Sequence, residues 1–347
     1  MMKGFLKRLS PFAPDNSGVV SALFELGGLI AICDAGGCTG NVCGFDEPRW
    51  FTMRSAVFST GMRDMDAILG RDHLLVEKIV SAQKTVNAPF AVLVGTPVPA
   101  VIATDFKALR RMIEKKSNSP VLTIESTGVN YYDKGASKAY EMLFDTFAVE
   151  KSPVEEGKIG VIGATPLDFC TCNAGRYLAG SVEGKASVYG MGAGLDEVKQ
   201  ASSNALNLVV APSGVAAAKL LEKRFGTPWK CHCPWLPEEV LASLPEVTGK
   251  RVVIIHQQFA AAALREKLLE KGAAEVAVGT YFMTENSLAR SCDKTLREED
   301  DPALMVEEFN AHVVIADRNF LKVLPGFKGE FVDFPHFAVS GRLLEEK

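Results

Sequence analysis

The chain reads as an α/β protein on parallel sheets, with three Rossmann-like units. Three observations predict this. Short β-branched apolar runs recur at 28–33, 90–94, 121–125, 158–162, 206–210, 251–255, 275–278 and 312–316. Between them lie segments with apolar residues at helical spacing, such as 214–225 and 260–271, which stop at Gly226 and Gly272 as helix C-caps do. Residues suited to chemistry gather just after the runs, and in open α/β sheets ligands sit outside the carboxyl ends of the strands.

A chain of 347 residues exceeds one ordinary domain. Two polar joints, 149–157 and 241–250, each precede a fresh apolar strand. The expected units are therefore 1–152, carrying a cysteine loop, then 153–247 and 248–347. With a net charge of −4 and 47% hydrophobic residues, no basic field suggests nucleic acid or an anionic membrane as partner. No apolar run reaches the ~18 residues of a membrane span. The basic start, Met1-Met2-Lys3-Gly4-Phe5-Leu6-Lys7-Arg8, has no apolar stretch behind it. The eight cysteines fall in clusters plus the singleton Cys292, unlike a secreted disulfide scaffold, and a reducing cytoplasm is expected.

The first run leads into Cys33-Asp-Ala-Gly-Gly-Cys38-Thr-Gly-Asn-Val-Cys43. Thiolates are the soft ligands that iron–sulfur clusters and zinc require, and Gly36 and Gly37 let backbone wrap closely around an inorganic group. Cys33, Cys38 and Cys43 are the candidate ligands. At the strand end, Cys33 reads equally as a buried structural thiol. Asp34 reads as a cap on the following turn or as a carboxylate ligand. Three thiols in one chain leave a coordination position for a partner subunit, a non-cysteine ligand or solvent, and a twofold interface would bring six together.

Two further elements, Cys170-Thr-Cys172 and Cys231-His-Cys233, follow or occupy strands of the central unit. Alternate residues of a strand share a face, so these four thiols can converge on a second metal or cluster in a cleft, or belong to an apolar strand and a separate loop. Arg176 can offset an anionic cofactor or form a surface ion pair. Gly190-Met-Gly-Ala-Gly194 has the spacing of a dinucleotide-loop fragment without the full fingerprint. No Walker A motif is present, so ATP hydrolysis would belong to a partner.

Several segments in order resemble the nitrogenase component 1 family, which includes molybdenum–iron protein subunits, cofactor-assembly scaffolds and nitrogenase-like tetrapyrrole reductases. They are Ser17-Gly18-Val19-Val20 through Cys38, Phe58-Ser59-Thr60 through Gly70, Gly95-Thr96-Pro97 through Asp105, Ile124 to Gly128, Phe225 to Trp229, and Asp333-Phe334-Pro335-His336 through Gly341. The resemblance implies three Rossmann-like subdomains around a shared cleft and an interface iron–sulfur cluster, expected as a 4Fe-4S type. It also implies a homodimer or a heterodimer with a paralogous subunit, and an ATP-dependent iron protein as electron donor. Of the family's cluster cysteines only Cys38 is kept: the first position falls near Ser10-Pro11 and the third is Thr96. The cysteine that anchors the nitrogenase cofactor would lie near 210–212, where there is none. The resemblance places His256 and His336 around the cleft, as metal ligands or proton carriers.

The expected function is a nitrogenase-like oxidoreductase component that receives low-potential electrons through the cluster and reduces a substrate or metallocofactor in the cleft. The alternatives are a scaffold or carrier for metallocluster assembly and a zinc-stabilised binding module.

Overall fold

The computed structural model describes residues 6–344, so the first five residues of the basic start lie outside it. Thirteen strands among the described residues form three wholly parallel sheets. The first contains β1 (Leu29–Ile32), β2 (Ala56–Ser59), β3 (Ala91–Val94) and β4 (Val121–Ile124) in the order β2-β1-β3-β4. Leu29 stands opposite both Ala56 and Ala91. The second contains β5 (Glu155–Ile162), β6 (Lys185–Val188), β7 (Asn204–Val209) and β8 (Trp229–Cys231) in the order β6-β5-β7-β8. The third contains β9 (Arg251–Ile255), β10 (Glu275–Thr280), β11 (Lys294–Thr295), β12 (Val313–Ala316) and β13 (Glu330–Asp333) in the order β11-β10-β9-β12-β13. All eight apolar runs fall on strands.

The strands that did not stand out in the sequence, β2, β6, β11 and β13, are sheet edges. An interior strand of a parallel sheet is covered on both faces and reads as a continuous apolar run, as Leu29–Ile32 and Ala91–Val94 do. An edge strand keeps exposed positions: Phe58 and Ser59 on β2, and both residues of β11.

Side-chain alternation separates the two faces of the first sheet. Ile30 and Ile32 join the core shared with the second unit, whereas Leu29, Ala31 and Cys33 face Val76, Ile79, Leu109 and Ile113 of the helices Asp72–Val86 and Phe106–Ser117. The latter helix starts where Asp105 accepts the Ala108 N–H at 2.9 Å and ends at Asn118 in the left-handed region.

Two contacts organise the first unit and seat it on the second. The helices Asp15–Leu23 and Tyr132–Phe147 cross backbone to backbone. A Cβ at Gly18 would lie 1.8 Å from the Tyr132 carbonyl oxygen, and one at Gly135 would lie 1.8 Å from that of Asp15. Arg49, fully buried, forms the second contact. Its guanidinium donates to Glu47 through Nε (2.7 Å) and Nη2 (2.8 Å), to Glu25 through Nη1 (2.7 Å), and to the carbonyls of Gly190 (2.8 Å) and Ser21 (2.6 Å). Glu25 also accepts the Gly192 N–H at 2.7 Å. The glycine-rich stretch after β6 is thereby occupied by a structural clamp.

Removing the arginine strands two carboxylates in a largely dry site. Arg49→Met is expected to destabilise the protein by roughly 3–5 kcal/mol, measured by urea unfolding. A loss under about 1 kcal/mol would show that the clamp is not a principal support.

Candidate functional site

The cysteine loop leaves the carboxyl end of β1, and its Val42 and Cys43 join the core on one face of the sheet. The segment after β3 instead leads to the helix on the opposite face, where Leu109 packs. Adjacent strands whose connections diverge create the crevice in which ligands of this architecture bind. Cys38 and Thr96 lie beside one another there, and the Thr96 hydroxyl donates to the Cys33 carbonyl at 2.7 Å. The loop runs as a short helix, Gly37–Asn41, into a wider turn, Val42–Asp46. Gly36, at φ 122°, supplies a backbone conformation that other residues rarely adopt.

Asp34 is the loop's anchor. Its carboxylate accepts from Thr39 N (2.8 Å), Thr39 Oγ1 (3.0 Å) and Ser59 Oγ (2.6 Å), the capping role the sequence allowed. Cβ atoms at Gly36, Gly37, Gly40 and Gly44 would meet nothing within 4 Å. The loop therefore has open space around it. Cys38 is half-buried and Cys43 largely buried, and both pack against the same core. Burial, with Asp34 and for Cys43 also Glu47, raises both thiols above their ordinary value.

The three loop thiols are not gathered together. Cys33 lies on the other face of the sheet, fully buried among aliphatic side chains and pushed up to about 12, first by burial and then by Asp34. Nor do the two CxC elements converge on one centre. Cys170 caps the helix Pro166–Phe169 with φ 57° and packs in one cluster with the third unit's Val253, Ile255 and Val314, while Cys233 packs in the separate, larger core that spans all three units and donates to the Trp235 carbonyl at 3.1 Å. Cys231 faces Glu285, Ser287 and Lys219. Cys172 is partly buried. A strand places alternate residues on one face only while it lasts, and β8 ends at Cys231. Among the described residues, no group of three or more His, Cys, Asp and Glu side chains is placed to hold a metal ion.

The two histidines do meet. His256 follows β9, His336 follows β13, and their rings stack with centroids 4.3 Å apart. Phe334 covers the other partner, stacked on His256 at 4.0 Å. His336 Nε2 lies 2.9 Å from the Tyr132 hydroxyl, which donates to Asp168 Oδ1 at 2.6 Å; Thr165 Oγ1 donates to Asp168 Oδ2 at 2.8 Å. Asp317 accepts the His336 backbone N–H at 3.0 Å and fixes that residue from behind. One hydrogen-bonded chain therefore joins all three units. Neither Tyr132 nor Asp168 carries a local sequence signal for this role.

Burial sets the protonation of this chain. It lowers His256 to about 4 and holds His336 well below the usual histidine value, so both rings are neutral near pH 7. His256 Nε2 lies 3.1 Å from the Pro335 carbonyl, which assigns the proton to Nε2 and leaves Nδ1 as a buried, unpartnered acceptor. Burial raises Asp168 to about 7, against the opposing hydrogen bonds from Tyr132 and Thr165.

Two solved structures of nitrogenase Cp1 share this architecture. The one at pH 6.5 has a TM-score of 0.73 over 96% of this chain and 87% of that chain, at 13% identity. The one at pH 5 has a TM-score of 0.66 over 99% and 87%, at 14% identity. At such identities the likeness is one of fold. No curated protein matches the sequence. The family model for nitrogenase component 1 type oxidoreductases matches residues 35–248, and the chain belongs to that family.

Because His256 is disfavoured as a cation in the fold, its contribution to stability is present above about pH 6.5 and is lost as pH falls through about 4. That shift corresponds to on the order of 3 kcal/mol. Asp168 acts oppositely: its contribution is full below about 3.8 and is lost as pH rises through about 7. His256→Phe should narrow its stability gap to wild type, or reverse it, between pH 7 and pH 4 in urea unfolding. Parallel pH curves would contradict the assignment.

Proposed function

We propose that this protein is a nitrogenase-like oxidoreductase component that receives low-potential electrons from an ATP-dependent iron protein. In this reading an iron–sulfur cluster at the Cys38 loop is the entry point, and the reducible substrate or metallocofactor lies toward the junction of the three units. Membership of the family supports the general chemistry. The observation that carries the reading is the surface around Cys38. Phe45, Phe51, Val101 and Val129 are 74%, 73%, 85% and 84% exposed, and Trp50, Met53, Phe58 and Val98 are also exposed. They follow the cysteine loop or flank Thr96, and Gly128 abuts the Pro97 ring. An apolar surface of this kind marks an interaction site.

A second subunit, identical or paralogous, seated there would cover Cys38 and Cys43 and supply the ligands that one chain lacks. Two thiols from each of two copies make four, the number a 4Fe-4S cluster takes. The open space at Gly36, Gly37, Gly40 and Gly44 fits a bulky inorganic group. When bound, the cluster would supply one-electron redox chemistry. The chain's own part is to hold the loop through Asp34, to give up the Cys38 and Cys43 protons on metal binding, and to keep the site dry. The neutral pair His256 and His336, joined through Tyr132 to Asp168, would hold protons near the junction.

The test is iron and sulfide content and oligomeric state after anaerobic purification. Wild type is expected as a dimer with about four iron and four sulfide per cluster. Cys38→Ala should lose the iron, and Val101→Asp should give monomers without iron. Full iron and sulfide in Cys38→Ala would overturn the reading. The incomplete ligand set of one chain favours a second reading, a cluster carrier, and transfer of the iron to an acceptor protein without substrate reduction would select it.

A further inference from the structure

The central unit contains a cleft of about 690 Å³ on the β6 side of its sheet, between the helices Ala174–Gly180 and Leu195–Lys199. It is remote in sequence from the cysteine loop, and neither histidine lines it. Its lining includes three cations and two acids, and the two signs are engaged differently. Asp196 is paired with Lys199 at 2.9 Å, and Glu197 accepts the Gly194 N–H at 3.1 Å, closing its own helix turn. Arg176 and Lys185 have no carboxylate within salt-bridge distance among the described residues, and Arg176 rests over the Tyr177 ring at 5.4 Å.

The third cation, Lys158, is only 4% exposed. Glu155 (2.8 Å) and Ser203 (2.6 Å) occupy two of its three N–H groups. Ser187, 6% exposed, also lines the cleft, and its hydroxyl makes no hydrogen bond to another described residue. Burying a lysine is costly unless its donors are used, and a cleft with a buried ammonium, a free hydroxyl and two unpaired cations at its mouth is complementary to a multiply charged oxyanion. The volume lies within the range of sites for small organic ligands.

We propose that this cleft binds a phosphate monoester, with Arg176 and Lys185 closing on its phosphate oxygens above Lys158 and Ser187. The nucleotide AMP is a suitable probe, and adenosine, which lacks the phosphate, is its control. Isothermal titration of the full chain at constant ionic strength should show saturable AMP binding and none for adenosine. The double variant Arg176→Gln/Lys185→Gln should bind AMP at least about tenfold more weakly, with an unchanged melting temperature in the absence of ligand. Cys38→Ala should bind AMP as wild type does, which separates this site from the cluster reading. Binding of adenosine as tight as that of AMP, undiminished binding by the double variant, or no saturation would each overturn the proposal.

Discussion

The arrangement of the first unit on the second depends on Arg49. A buried guanidinium is tolerable only when its donors are answered, and here two carboxylates and two backbone carbonyls answer them. The acceptors come from three segments: Glu47 from the end of the cysteine loop, Glu25 and Ser21 from the first helix and its exit, and Gly190 from the loop after β6. The planar fork fixes directions as well as distances, which a lysine at this position would not do. Phe24 packs against the guanidinium at 4.9 Å from its ring centroid and completes the enclosure.

The cysteine loop is consequently held at both ends while its middle stays open. Asp34 fixes its start and the Glu47–Arg49 pair its finish. Between them the chain has glycines and two thiols beside an apolar surface. Such a segment is fixed at its ends and open around its glycines. The histidine junction differs in character: there Tyr132, Asp168, Thr165 and His336 are enclosed and bond to one another across units, while His256 Nδ1 is left unpartnered.

Sequence patterns reveal interior strands well because double-sided burial writes itself as four or more consecutive apolar residues. They revealed the interior strands β1, β3, β5, β7, β9, β10 and β12 and the buried edge β4, and missed edges such as β2 and β6, whose outer positions answer to solvent. The glycine-rich turn around Cys38 was legible as a loop at the end of a strand, and Thr96 lies beside it. The opposite placement of Cys33 follows from strand alternation, but whether the strand continues through residue 33 or turns is decided by the packing of Val76 and Leu109. Tyr132 and Asp168 were illegible for a different reason. Their pairing with His336 joins residues 204 positions apart in the case of Tyr132, and no local spacing encodes it.

The crossing of Gly18 on Gly135 bears on how the chain is made. Asp15, at the start of the first helix, accepts the Gly128 N–H from 113 residues further along, just before the helix that Gly18 touches. The first helix is thus translated early but has no seat until the fourth strand and the helix after it have emerged. Contacts of such sequence separation form slowly. During that interval the cysteine loop hangs from an undocked segment. The glycine crossing therefore places the ordering of this loop late in the folding of its unit.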